Sequence, residues 1–484
     1  MKRQSLLTAA VAAACFVGSA HATNWFQLQG TEPSGIAAPF HLFGFIQPTY
    51  QDTGGTAVTG LNGPQAAPFN GAVPKFNEVA PQDTSMSSFN MLRARIAVRG
   101  TVTPISNKID YFIMAEFGNN GYTYGNGSYT PRLTDASVTF NEIPGMRVRV
   151  GLFKTPGPEE VLQGIPDFDY INFTNVSAQL ILNQFIGSAP AMATGPGAYA
   201  VQAAPIDAGR DQGVQLFDWF NNGPWQFAYA AMLGNGAPLY YNAQSNSTSY
   251  YGRLQESYIF NHSKGPHQAG ITAWVWSHLG HQALDVADTA GGYTRQNYTF
   301  KRYGIGAQYR SGFMTPGALR VTGELMRGTG WILSPAAFSG AAAGYSGAPT
   351  CGPSKGTNGL CTETLYPGAN NAAVGGYIET GFFVTKHWDL EARYDQYDRM
   401  TNNPGLERVF KTTTLGVQYY ISPMARITLN YAFNRINVPH LSSVTGPTTG
   451  PGTQAARNAV AQNNASAIAS ARDNTIALQT TLFF

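Results

Sequence analysis

From Met146 to Phe153 the chain alternates: Met146, Val148, Val150 and Leu152 occupy one set of positions, Arg147, Arg149, Gly151 and Phe153 the other. A period of two is the signature of a strand with one apolar and one polar face. The alternation stops at Lys154, and the next strand-like run begins only at Arg210. Similar segments recur along the chain and predict strands at 40–52, 89–103, 108–117, 132–142, 146–154, 210–220, 225–234, 250–260, 267–279, 298–310, 318–329, 374–385, 388–398, 409–421, 425–436 and 474–484. The spacers are alternately short and long. The short ones carry breakers: Pro104 to Asn107, Pro144-Gly145, Asn221-Asn222-Gly223-Pro224, Lys264-Gly265-Pro266, Pro316-Gly317 and Ser422-Pro423. The long ones are 53–88, 155–209, 280–297, 330–373 and 437–473. Tight turns on one side and long loops on the other are the rhythm of a membrane barrel. The pattern therefore predicts an all-β fold: a transmembrane antiparallel β-barrel of about 16 strands over 40–484, with 155–209 as an inward-folded constriction loop. The last strand is the cleanest, with Ile476, Leu478, Leu482 and Phe484 on one face and Ala477, Gln479 and Thr481 on the other.

Composition supports a membrane setting. Charged residues make up 12%, about half the usual share of a soluble domain, while aromatics also reach 12% and Gly numbers 54. No stretch beyond the N-terminus approaches the roughly eighteen uninterrupted apolar residues of a spanning helix, and a closed barrel is the other way to satisfy backbone groups in lipid. The N-terminus has Lys2 and Arg3, an apolar run from Leu6 to Gly18, and Ser19-Ala20-His21-Ala22, which reads as a signal peptide over 1–22 cleaved after Ala22. Residues 23–39 form a periplasmic lead-in. Cys15 lies in the apolar run, but a lipoprotein reading lacks a bulky aliphatic residue three positions before it. Of the 30 Lys and Arg, loss of Lys2 and Arg3 leaves 28 against 27 Asp and Glu. Such a balance carries no nucleic-acid footprint. Cys351 and Cys361 stand in a Gly/Pro/Ser-rich stretch, and beyond the inner membrane a disulfide between them is expected. No His or third Cys lies close enough in sequence to make them a metal pair.

Strand parity sorts the charges. With Leu92, Ala94, Ile96 and Val98 toward lipid, Arg93, Arg95 and Arg99 point into the lumen, because a lipid-facing charge near the midplane costs about 2–4 kcal/mol. Arg147 and Arg149 follow the same logic, and Lys154 and Arg210 flank the insertion. Fixed charge of this kind sets ion preference, unless neighbours neutralise it. Acids point inward too: Asp110, Glu116, Glu324, Asp389, Glu391 and Asp395, the last three around Arg393. The insertion holds Glu159, Glu160, Asp167 and Asp169, and neither Lys nor Arg occurs from Thr155 to Gly209. If it crosses the pore, its carboxylates face the arginine wall and create a transverse field. The alternative is solvated acids at the outer mouth. Its apolar groups, from Phe168 and Tyr170 to Phe185 and Ile186, partly at helical spacing, are expected to pack against the wall. No nucleophile elbow, H-E-x-x-H helix or phosphate-cradling glycine loop appears. His262, His267, His278 and His281 are spaced as boundary residues rather than as metal ligands. No catalytic residue, metal or cofactor is expected.

At these residues the chain resembles the phosphate-selective porin O/P family of outer-membrane channels. Phe89-Asn90-Met91-Leu92-Arg93-Ala94-Arg95 resembles its arginine strand, and Gly151-Leu152-Phe153-Lys154-Thr155-Pro156-Gly157-Pro158-Glu159-Glu160 the strand entering its inward loop. Gly209-Arg210-Asp211-Gln212-Gly213-Val214 is similar to the strand leaving that loop, and Ala392-Arg393-Tyr394-Asp395, Tyr419-Tyr420-Ile421-Ser422-Pro423 and Asn430-Tyr431 extend the match. The resemblance implies a trimeric, sixteen-stranded anion channel in the outer membrane of a Gram-negative bacterium. One departure matters, since phosphate-selective members carry arginines in the inward loop and this one has none. The expected function is passive diffusion of small hydrophilic solutes with a weak to moderate anion preference, phosphate-type anions among them. The alternatives are a general or cation-favouring porin, or a barrel serving as an outer-membrane enzyme or attachment protein.

Overall fold

A computed structural model describes residues 39–56, 59–62, 70, 87–103, 105–120, 123, 131–182, 209–236, 248–263, 267–287, 293–334, 364–366, 368–446, 450–470 and 472–484. The signal peptide, residues 23–38 of the lead-in, Pro104, the Lys264-Gly265-Pro266 turn, residues 183–208 of the insertion, and Cys351 and Cys361 lie outside the described residues.

Among the described residues, sixteen strands close into one antiparallel barrel. They are β1 (His41–Gly55), β2 (Ser87–Thr101), β3 (Ile109–Glu116), β4 (Arg132–Ile143), β5 (Met146–Lys154), β6 (Arg210–Asn222), β7 (Trp225–Gly234), β8 (Ser249–Ile259), β9 (Gly270–Ala287), β10 (Tyr293–Arg310) and β11 (Leu319–Gly330), followed by β14 (Ala372–Phe383), β15 (Trp388–Arg399), β16 (Arg408–Ser422), β17 (Ala425–Asn437) and β18 (Asp473–Phe483). Between β11 and β14, β12 (Ile332–Ser334) and β13 (Thr364–Tyr366) form a separate two-stranded ribbon inside a spacer expected to be all loop. The alternation drives the barrel, and two strands, β5 and β7, begin and end where it predicts. Along β15, Trp388, Leu390 and Tyr394 are exposed on the outside while Asp389, Glu391, Arg393 and Asp395 are buried within. β18 behaves likewise, with Ile476, Leu478, Leu482 and Phe484 out and Ala477, Gln479 and Thr481 in.

Two expectations change. The stretch 280–297 is mostly strand: β9 and β10 stay paired from Gly280↔Phe300 to Ala287↔Tyr293. No breaker stands between Gly280 and the Gly291-Gly292 pair, so the ladder runs on past the region where alternation is apolar. The Ala/Asn/Gln-rich stretch 454–472, which the sequence alone leaves open between a short helix and a flexible loop, is a helix, Gln454–Ser470. Leu92 does not face outward. The register slips between Gln47 and Pro48, so that Leu92 and Arg93 are both buried and Leu92 packs with Ile171 and Ala477 inside.

The ring closes between the chain's two ends. β1 pairs with β18, and Gly44 and Phe484 exchange backbone hydrogen bonds, N–H to carbonyl, of 2.9 and 3.0 Å. Gly44 is needed there: a Cβ would stand 2.4 Å from the Arg95 carbonyl and 2.7 Å from the Phe484 ring.

Candidate functional site

The insertion after β5 turns into the barrel. Pro156 and Pro158 lack N–H groups, which lets Thr155-Pro156-Gly157-Pro158 leave the sheet with few donors to satisfy. Two of its carbonyls are held from other strands: Pro156 O lies 3.2 Å from His278 Nε2 on β9, and Gly157 O accepts from Arg253 of β8 at 2.7 Å. Gly157 sits so close to the His278 ring that a Cβ would come within 2.6 Å of it. A short helix, α1 (Glu159–Leu162), a 3-10 turn (Ile165–Asp167) and a π turn (Ser177–Ile181) follow. Val161, Ile165, Phe168, Tyr170, Phe173, Val176, Leu180 and Ile181 join one buried cluster with Trp274, Trp276, Tyr377 and Phe410 of the wall. The apolar residues of the insertion thus pack as expected, except Phe185 and Ile186, which lie outside the described residues.

The four acids expected in the insertion all meet partners, but not the arginines expected. The Glu159 carboxylate takes a 2.5 Å hydrogen bond from Arg253, and its backbone N–H donates to Glu324 of β11 at 3.1 Å. Glu160 accepts from the Thr174 N–H at 2.8 Å and hydroxyl at 2.5 Å, with Arg393 of β15 at 3.4 Å. Asp169 pairs with Arg320 of β11 at 2.7 Å, and Arg320 also reaches Asp389 and Glu391 at 3.0 and 3.1 Å. Asp167 faces His267 at 3.2 Å. The backbone is held as firmly: Arg426 of β17 donates to Phe168 O, Gln418 to Asp169 O, Arg393 to Asn172 O, and the Ile171 N–H reaches Asn430. The segment therefore crosses from β5 to the wall of β14–β17. Its acids are bound by Arg253, Arg320 and Arg393, on strands other than those of Arg93, Arg95, Arg147 and Arg149, and by His267. They are not solvated at a mouth, since Glu159 and Glu160 are buried.

Burial raises Asp167 to about 6 against the pull of Arg426 and Arg310. It drives His267 well below the usual histidine range, helped by the nearby charges of Arg310, Arg320 and Arg426. Nδ1 of His267 lies 3.0 Å from Arg310 Nη1. A guanidinium only donates, so Nδ1 accepts and the ring proton sits on Nε2, toward Asp167.

The expected basic residues separate into two groups. Arg93 donates to Gln47 at 2.9 Å, Arg147 pairs with Asp218 at 3.1 Å beside the Trp219 ring, and Arg149 lies over Phe153 and Phe217. Arg95, Arg99, Lys154 and Arg210 instead line one cavity of about 1400 Å³ beneath the inward segment, at the short-turn end of the barrel. There Arg95 pairs with Glu116 at 2.6 Å and Arg210 with Asp135 at 3.0 Å. Lys154 donates to the carbonyls of Gln163 at 2.7 Å and Leu162 at 3.3 Å. Arg426 lines the same cavity. Arg253, Arg320 and Arg426 were not singled out in the sequence, although they carry the signal that marked Arg95: each stands between outward apolar neighbours on an alternating strand.

These features define a closed antiparallel barrel, apolar outside, charged within, with a chain segment anchored across its lumen. No family model matches the chain, and no curated protein matches it in sequence. Several solved structures are similar at low identity. The anion-selective porin from Comamonas acidovorans is 13% identical, over 92% of this chain and 99% of its own, with a TM-score of 0.46. The outer membrane channel DcaP of Acinetobacter baumannii is 9% identical over 92% and 97%, with a TM-score of 0.47. A loop-deletion form of the outer membrane protein OmpT of Vibrio cholerae is 9% identical over 92% and 99%, also at 0.47. Likenesses this distant transfer neither solute nor selectivity.

Proposed function

We propose that the chain is a porin of a Gram-negative outer membrane, a water-filled channel for passive diffusion of small hydrophilic solutes with a weak to moderate preference for anions. The observation that carries this reading is the two-sidedness of the closed ring: an outward band of exposed Leu, Ile, Val, Trp and Tyr around an inward array of Arg, Asp and Glu. The inward segment narrows the lumen, and three of its four acids, Glu159, Glu160 and Asp169, are each within ion-pair distance of an arginine, which weakens the negative field it supplies. At the cavity, Lys154 and Arg426 border the path, and among the described residues neither has an ion-pair partner. This balance favours anions over the cation-preferring alternative. Phosphate-type anions belong to the candidate solutes through the resemblance to the O/P family, while the arginine-free insertion argues for a broader anion preference. The same resemblance supports a homotrimer.

Purified protein in a planar lipid bilayer tests the reading. Stepwise conductance with a reversal potential favouring chloride over potassium is expected, and Lys154→Gln lowers that preference by a few-fold. A potassium-favouring reversal potential would reject the anion preference; absence of any conductance would reject the channel and turn attention to an enzymatic or attachment role.

A further inference from the structure

We propose that the cavity beneath the inward segment is a binding site for organic anions with an apolar body, aromatic carboxylates above all. The proposal rests on the channel reading for its route of access but not for its chemistry. Its walls are rings: Phe43, Phe313, Tyr420 and Phe484 border it, with Phe313 edge-on to Tyr420 at 5.3 Å and stacked on His267 at 3.7 Å. Set among these rings are the Lys154 amine and the Arg426 guanidinium. The Arg426 guanidinium stands 5.8 Å from the Tyr420 ring, donates to the Tyr420 hydroxyl at 3.3 Å and to Phe168 O, and leaves Nε without a hydrogen-bond partner. Lys154 is fixed by two carbonyls. Of the two acids on the lining, Asp135 pairs with Arg210 and Asp167 accepts from the neutral His267 ring, and the lining carries five Lys and Arg against these two carboxylates.

A compact hydrated anion such as phosphate suits this surface poorly. It would stay solvated against phenyl walls, and of the five basic residues on the lining Arg95 and Arg210 are already paired with Glu116 and Asp135. A flat body bearing one carboxylate satisfies both halves: the head group takes a charge-assisted hydrogen bond, and the ring leaves water against other rings. Pockets that hold small molecules combine an apolar lining with a few placed polar groups, and this cavity is roomy enough for such a solute to bind and leave again.

The test measures block of chloride current through single channels by sodium benzoate, acetate and phosphate. Benzoate is expected to block at about one tenth the concentration needed for acetate or phosphate, and Arg426→Gln to weaken benzoate about tenfold, the loss of one charge-assisted contact. Arg426→Lys should restore part of it, and Phe313→Ala should erase the advantage over acetate. A conducting channel in which benzoate blocks no better than acetate overturns the site and leaves the channel reading intact. If the protein does not conduct, titration calorimetry with benzoate decides: heat of binding that Arg426→Gln abolishes supports the site, and no heat overturns it.

Discussion

His267 and Asp167 titrate in opposite senses. Asp167, raised to about 6, favours the folded state when protonated, so its contribution is complete below the ordinary carboxylate range and is lost as pH rises through 6. His267, depressed, resists the proton that the unfolded chain accepts, so its contribution is present at neutral pH and is lost on acidification through the ordinary histidine range. Between roughly pH 6 and 4 the two terms offset each other, each worth at most about 1.4 kcal/mol per pH unit. Asp167→Asn should therefore make stability fall more steeply on acidification, and His267→Gln should flatten or reverse the fall. Urea midpoints across that range check it, and parallel curves for wild type and both variants would refute it. Neither shift was legible in the sequence. His267 was recognised as a residue near a strand boundary, but its neighbours Arg310, Arg320 and Arg426 come from later strands that only barrel closure brings together.

At the scale of elements, the inward segment depends on Glu324. That single carboxylate accepts from Trp274 at 2.8 Å, Trp276 at 2.7 Å, the Tyr377 hydroxyl at 3.0 Å and the Glu159 N–H at 3.1 Å. It thereby joins β9, β11, β14 and α1. Glu324→Leu would leave four buried donors without an acceptor, at a cost of about 1–3 kcal/mol for each that finds no other. The strand ladders are untouched, so the ring should persist while the segment loosens. Hydrogen exchange at the amides of Glu159–Leu162 should quicken about a hundredfold, with the amides of β14 and β15 unchanged; equal protection in the variant would show that the apolar cluster alone holds the segment. The strands were readable because each carries its own period. Partner choice in the lumen was not, because Glu159 and Arg253 lie 94 positions apart and Glu160 and Arg393 lie 233 apart, and any inward arginine could have served either.

The whole molecule is taller on one side than a simple ring. β8 accompanies β9 only as far as Gly280, and β11 accompanies β10 only from Phe300, so among the described residues the tip beyond them pairs essentially with itself. At about 3.3 Å per residue, His281 to Ala287 project roughly 23 Å past the neighbouring strands. Shortening that hairpin to a tight turn after Gly280 should leave the ring's heat-resistant electrophoretic mobility unchanged and its conductance within about twofold, as expected where few contacts cross. Loss of the folded band would mean the tip braces the barrel. The seam between Gly44 and Phe484 has a consequence in time rather than in space. Because β1 must wait for β18, no product that stops short of β18 can seal itself; until β18 is made, the nascent sheet keeps two open edges and needs to be shielded from others like it.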